Sequence, residues 1–332
     1  MRKLLYLLPG TTKRFFTGGL TAELKTLKLA QQICEADVVT YRQREQDTPF
    51  LDEVLVDSRY QDCIFVLSWG FDVPKLFKRI GDRPTIYHAH STGYGFRVPP
   101  RVPIITVSRN SMGYWGEKAL SSLIYYLPNE ISPAFENQHL TRDIDVLVQA
   151  RKSSEYLLKQ LVPALQPQCN VVVQDSYVDD LIGLFNRSKI YLYDTAEYWG
   201  RYHLTEGFGL PPMEALACGM QVFSSVNHAL ADYLDPGFNC HNISFYATGY
   251  DVQRILNVLN SWENQTELPA DFLAPYTAQQ LIPRLQTILQ EVNHFFDYQQ
   301  TAASDVPQLT VRRRLSLNAK RILHKVKAKI KK

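Results

Sequence analysis

Hydrophobic positions along the 332-residue chain fall into two series of short apolar runs, and between the runs apolar residues recur every three or four positions. In the first series the runs are Lys3 to Leu8, Ala36 to Tyr41, Cys63 to Ser68, Thr85 to Ala89, Ile104 to Val107 and Leu123 to Leu127. Their length and content of Val, Ile, Tyr and Phe predict strands. Leu20, Leu24, Leu27 and Ile33 predict an intervening helix, with shorter ones over Val73 to Ile80 and Asn110 to Leu120. The second series predicts strands at Asp145 to Gln149, Asn170 to Gln174, Lys189 to Tyr193 and Gln221 to Ser224. Its helices are expected over Ser154 to Leu165, Asp179 to Asn186, Leu210 to Cys218 and Ala229 to Leu234. Strand–helix alternation implies a parallel sheet covered on both faces, with ligands outside the carboxyl ends of the strands. The fold class is therefore α/β, in two units of about residues 1–130 and 143–275. The polar, aperiodic stretch Ser132 to Arg142 links them. Further helical patterns follow at Asp251 to Trp262 and Thr277 to Phe296, and Thr301 to Pro307 leads into a tail over 308–332.

A hydrophobic content of 45% suffices for two cores and excludes a disordered or fibrous chain. No apolar run approaches the roughly 20 residues of a membrane span, and the opening Met1 to Gly10 is too short for a secretory leader. The five cysteines are scattered without C-x-x-C spacing, which predicts reduced thiols in a cytoplasmic protein and no zinc. The net charge of +3 conceals an asymmetry. Ten Lys and Arg and no acid lie between Arg312 and Lys332, so the body carries 26 basic against 33 acidic residues, about −7. Within the tail Leu315, Ala319, Ile322, Val326 and Ile330 recur at helical spacing among the cations. That is the pattern of a basic amphipathic helix on an anionic membrane surface. Nucleic acid is the rival partner, disfavoured because the body offers neither a basic patch nor an aromatic platform, and a solvated tail is the third reading.

The stretch with the most chemistry runs from Thr205 to Gly219, where Glu206 and Glu214 flank seven residues and Gly207-Phe208-Gly209 gives way to a helix opened by Leu210-Pro211-Pro212. Pro suits the first helical positions and Gly219 the end. A helix N-terminus beside a Gly-rich turn attracts phosphate, whereas carboxylates accept from sugar hydroxyls. Together they suit a nucleotide-sugar. The run resembles the Glu-x7-Glu signature of the family 4 retaining glycosyltransferases, embedded in Glu-Gly-Phe-Gly-Leu-Pro. The resemblance extends from about Lys3 to Trp262. It implies a GT-B fold of two Rossmann-like domains facing a cleft, acceptor side first and donor side second, with a late helix over 276–300 crossing back to the first domain. It also implies that Glu206 orients the transferred sugar, that Glu214 holds the ribose, and that the Gly207, Phe208, Gly209 and Leu210 turn meets the donor.

The same resemblance guides the remaining loops. Gly18 and Gly19, just before a helix, either meet the donor diphosphate or acceptor or form a plain turn. Ser68 to Phe71 stays unassigned. In Tyr87-His88-Ala89-His90, His90 is the match to a histidine facing the reacting sugar, and His88 shares its strand face. Ser108 is expected to cap a helix. Arg151 matches the family's diphosphate-binding arginine, whereas the partner lysine departs from the usual spacing of about five residues, leaving Lys152 or Lys159. Tyr177 and Val178 belong to the loop whose backbone meets the base. The segment Asp194 to His203 is read as a long polar-aromatic loop, a lid or acceptor contact. No metal or cofactor is expected, since Arg151, the turn amides and the helix dipole would carry the leaving diphosphate. The expected activity is retaining hexosyl transfer from a nucleotide-sugar to a lipid-linked or polysaccharide acceptor at the cytoplasmic membrane face. A nucleotide-sugar epimerase of the same fold and a non-catalytic scaffold are the alternatives.

Overall fold

The computed structural model describes residues 1–15, 17–176, 178–264, 268–269, 271–307 and 309–330. Six strands, β1 (Leu4–Leu8), β2 (Ala36–Thr40), β3 (Ile64–Leu67), β4 (Thr85–Ala89), β5 (Ile104–Thr106) and β6 (Ile124–Tyr126), form a parallel sheet in the order β2-β1-β3-β4-β5-β6. Five more, β7 (Ile144–Gln149), β8 (Val171–Gln174), β9 (Ser188–Tyr193), β10 (Gln221–Ser224) and β11 (His241–Asn242), form a second in the order β11-β10-β9-β7-β8. The helices are α1 (Gly18–Gln31), α2 (Leu51–Val56), α3 (Val73–Ile80), α4 (Arg109–Lys118), α5 (Val162–Leu165), α6 (Leu181–Asn186), α7 (Ala196–Tyr202), α8 (Leu210–Ala217), α9 (Thr248–Asn260), α10 (Ala278–Thr301) and α11 (Val311–Ile330).

The central strands β1, β3 and β4 follow the apolar runs because they are buried on both faces, as a covered parallel sheet requires. Leu5, Leu7, Phe65, Leu67 and Tyr87 point into one layer, and Leu4, Tyr6, Ile64, Val66 and Ile86 into the other. Two expectations are corrected and one is refined. The segment Asp194 to His203 is not a loop but contains α7, whose left-handed His203 ends the helix. Ser154 to Leu165 is helical as expected, but with a π stretch at Leu157–Leu161 before α5. Ala229 to Leu234 is a short 3₁₀ segment, His228–Asp232. Ser108 caps α4 as expected, accepting from the Ser111 N–H at 3.0 Å.

Helix α10 follows the second sheet in sequence but packs on the first. Leu281, Leu285, Ile288, Leu289, Val292 and Phe296 are buried against Leu4, Tyr6, Ile64, Val66, Ile86 and Leu27. At about 1.5–3 kcal/mol for each such side chain removed from water, this contact contributes on the order of 10 kcal/mol. Leu315, Leu317, Ile322 and Leu323 of α11 are exposed. The side chains of Val326 and Ile330, and residues 331–332 as a whole, lie outside the described residues. Among the described residues no helix is long and apolar enough to cross a membrane.

Candidate active site

In both sheets the strand order reverses beside the central strands, and ligand crevices form at the carboxyl ends where it does so. The second sheet reverses between β7 and β9. Arg151 and Lys152 follow β7 and Glu206 follows β9, so topology alone brings them together. The loop after β4 reaches the same place from the first sheet. Ser91 Oγ donates to the Thr205 carbonyl at 2.7 Å, the Thr92 N–H donates to Thr205 Oγ1 at 3.2 Å, and the two threonine hydroxyls are 2.9 Å apart. At Gly207 a Cβ would stand 1.4 Å from the His90 carbonyl oxygen, so only glycine permits this approach. His90 and Glu206 thus belong to one seam. On the same seam the Arg109 N–H, opening α4, donates to Asp232.

Glu206 is 8% exposed. Its Oε2 accepts from Tyr193 Oη at 2.9 Å, Thr195 Oγ1 at 3.1 Å and Trp199 Nε1 at 2.8 Å. Three donors on one oxygen saturate it and leave Oε1 for a hydroxyl. Lys152, in the left-handed region at φ 69°, lies over the Trp199 ring at 4.2 Å. Burial lowers its pKa, opposed by Glu206 and reinforced by Arg151. Arg151 itself is exposed. These groups make a cationic entrance beside an anionic acceptor, the distribution a sugar diphosphate needs.

Helix α8 begins at Gly209, which is left-handed at φ 81° and provides no side-chain cap. Because Pro211 and Pro212 lack N–H groups, the first turn of the helix can offer a ligand only the Leu210 amide, beside those of Gly207, Phe208 and Gly209. The Phe208 side chain is buried against Tyr233 and Tyr276, so only its backbone is available to a ligand. Tyr233 Oη donates to the Gly209 carbonyl at 2.5 Å and holds the turn. Gly18 and Gly19 form the exposed first turn of α1, capped by Thr17, and Val178 is half-buried before α6. Tyr177 lies outside the described residues.

Glu214 is 8% exposed, and burial pushes its carboxyl up to about 7, with Lys25 of α1 opposing. A raised carboxyl pKa means that its stabilising share is full below the ordinary 4.5 and is lost as pH rises through about 7. Glu214→Gln should therefore melt at the same temperature as wild type near pH 4. Above pH 7 it should be more stable, by up to about 3 kcal/mol at 1.4 kcal/mol per unit. Thermal melts across this range check it, and a variant less stable than wild type at pH 8 contradicts it.

Several site residues were not anticipated from sequence. Tyr193, Thr195 and Trp199 hold Glu206, and the Glu206 N–H points to His228 Nδ1 at 3.4 Å. Glu23 of α1 binds both His88 Nδ1 and His90 Nε2 at 2.6 Å. Of the Ser68 to Phe71 aromatics, Trp69 packs on the core and Phe71 is exposed edge-on to Tyr94. The chain contains an Asp-x-Asp, Asp143-Ile144-Asp145, a spacing that elsewhere can hold a divalent ion. It lies at the start of β7, at the opposite end from the crevice, where Asp143 pairs with Arg187 and Asp145 with Lys189. A cavity of about 760 Å³ opens at that same far end, lined by Arg142, Lys189, Trp262 and Phe272. Its cations are already engaged: Arg142 donates to the carbonyls of Phe185, Ser188 and Cys218.

Residues 135–274 match the family model "Glycosyl transferases group 1". Over 81 residues, 24% of this chain, the sequence is 33% identical to the serotype-specific mannosyltransferase WbdA of Escherichia coli. The matched segment spans only 8% of that relative's length. Among solved structures, the sucrose-phosphate synthase of Thermosynechococcus elongatus superposes with a TM-score of 0.63 at 10% identity, covering 89% of this chain and all (100%) of that one. HepE of Anabaena in complex with UDP and glucose gives 0.62 at 13% identity, covering 88% and 100%. A glycosyltransferase from Rickettsia africae gives 0.60 at 10% identity, covering 88% and 98%. At these identities the structures establish the fold, which is GT-B.

Proposed function

We propose that the chain transfers a sugar from a nucleoside-diphosphate sugar to a glycan or lipid-linked acceptor, with retention at the anomeric carbon. The observation that carries this reading is the saturated Oε2 of Glu206 beside Arg151 and Lys152 at the sheet reversal. The fixed carboxylate turns Oε1 toward a sugar hydroxyl. Arg151, Lys152 and the amides of Phe208, Gly209 and Leu210 take the diphosphate charge as the glycosidic bond breaks, the kind of prearranged electrostatic help that is worth most in a water-poor crevice. Glu214 receives the ribose hydroxyls, Val178 offers backbone to the base, and His90 positions the transferred sugar. The match to group 1 glycosyltransferases over the second domain supports the donor side, as do the UDP-bound neighbours. The mannosyltransferase relative makes a mannosyl donor a candidate alongside a glucosyl one.

A panel of uridine and guanosine diphosphate sugars should contain one that raises the melting temperature, since a ligand at 100 times its dissociation constant adds about 2.7 kcal/mol. With that donor, turnover should persist in EDTA and proton NMR of the product should show the donor's anomeric configuration kept. No stabilisation by any member would remove the reading. Inversion, or loss of turnover restored by magnesium or manganese, would remove its retaining or metal-free part.

Helix α11 suits docking on an anionic membrane surface, which would bring the crevice to a lipid-linked acceptor. Its described apolar side chains are uncovered, and its charges oppose those of the body.

A further inference from the structure

Glu23 is 1% exposed, and its environment is unusual. Both His88 Nδ1 and His90 Nε2 stand 2.6 Å from the same oxygen, Oε2, while Oε1 and His88 Nε2 are buried with no partner. The two rings lie 4.3 Å apart, His88 sealed at 2% side-chain exposure and His90 more open at 15%. Burial pushes the Glu23 carboxyl up, but the charge and hydrogen bond of His88 and the hydrogen bond of His90 outweigh it and bring it to about 2. An ionised carboxylate can only accept, so each facing nitrogen carries its proton. Burial, then the charge of His88, keeps the His90 pKa low, against the pull of Glu23. A neutral imidazole has one N–H. In His90 it is spent on Glu23, and Nδ1 is left as a bare acceptor.

We propose that Glu23 is a positioning residue: its hydrogen bond fixes His90 as the Nε2–H tautomer and fixes the plane of the ring, so that Nδ1 accepts from a hydroxyl of the transferred sugar. This rests on the donor reading above. Tyr6 of β1, buried in the sheet, also feels the Glu23 charge. The donor atoms of Glu23, His88 and His90 lie within 4.8 Å of one another, the composition of a metal site. However, ligands about 2.0–2.1 Å from a tetrahedral ion stand about 3.3 Å apart. Contacts of 2.6 Å are those of hydrogen bonds.

Long-range proton–nitrogen NMR of the histidine rings, without any sugar, tests the tautomer directly. His90→Gln serves only to assign the signal. In the wild-type chain His90 should show a protonated Nε2 and a bare Nδ1 at pH 7 to 8. In Glu23→Gln, whose amide both donates and accepts, the signal should move toward mixed tautomers. Turnover should fall about 10- to 100-fold, by analogy with the loss of groups that orient metal-bound imidazoles. Affinity for the nucleoside diphosphate alone should stay within about threefold, because His90 faces the sugar and not the nucleotide. A His90 Nδ1–H tautomer in wild type, an unchanged tautomer in Glu23→Gln, or stoichiometric metal in the purified chain would overturn the proposal. If no nucleotide-sugar binds, the donor reading fails instead, and the ring signal still reports whether Glu23 sets the tautomer.

Discussion

Glu206→Gln is expected to give a folded protein with sugar transfer reduced about 10- to 150-fold, the range set by losing one hydrogen bond to a charged acceptor, about 1.5–3 kcal/mol. The reason lies in the division of labour between the two oxygens. Tyr193, Thr195 and Trp199 all donate to Oε2, so the glutamine carbonyl will turn to meet them. Its amide then replaces Oε1 and presents hydrogens where the sugar hydroxyl also presents one. Glu206→Ala should behave differently. Three donors would lose their acceptor, each at about 1–3 kcal/mol, so its melting temperature should fall sharply as well. Steady-state rates and melts on both variants decide this, and wild-type turnover in Glu206→Gln would refute the assignment.

Removing residues 308–332 should abolish flotation with anionic liposomes and leave donor binding unchanged. Each Lys or Arg near such a surface contributes about 1 kcal/mol, so a few of the ten in contact exceed the ordering cost of the helix. Leu315, Ile322 and Leu323 add apolar area that is exposed in the free chain. Binding should weaken as salt rises, because the attraction acts over a Debye length of about 10 Å at 0.1 M. A truncated protein that still floats, or a full-length one that ignores liposomes and binds nucleic acid tightly, would overturn the membrane assignment.

The strands and the Glu206-to-Gly219 turn were legible because a covered parallel sheet leaves continuous apolar runs and a Gly-Pro junction leaves few alternatives. Glu23 was harder. It occupies the apolar face of α1, three residues after Leu20 and four before Leu27, and a lone acid in that position is itself a signal. What it binds could not be read, because His88 and His90 are 65 and 67 residues away. Thr195, which precedes α7 as its N-cap, and Trp199 within it sit four apart, yet Gly200 and the surrounding aromatics hid the helix. Its stability comes from contacts with Lys152 and Glu206 rather than from intrinsic propensity. The strand β11 has two residues and pairs only at Phe223 and Ser224, too short to leave a pattern.

The crossing of α10 bears on how the chain matures during synthesis. All six strands of the first sheet are complete once Tyr126 has left the ribosome, but the layer over Leu4, Tyr6, Ile64, Val66 and Ile86 includes Leu281 to Phe296. At about 5–20 residues per second, the intervening chain takes on the order of 10 to 30 s to appear. Throughout that interval part of a hydrophobic sheet face waits uncovered, long enough for a chaperone to engage it. A nascent chain stalled before residue 278 should therefore be protease-sensitive in its first half, and release of α10 should protect it.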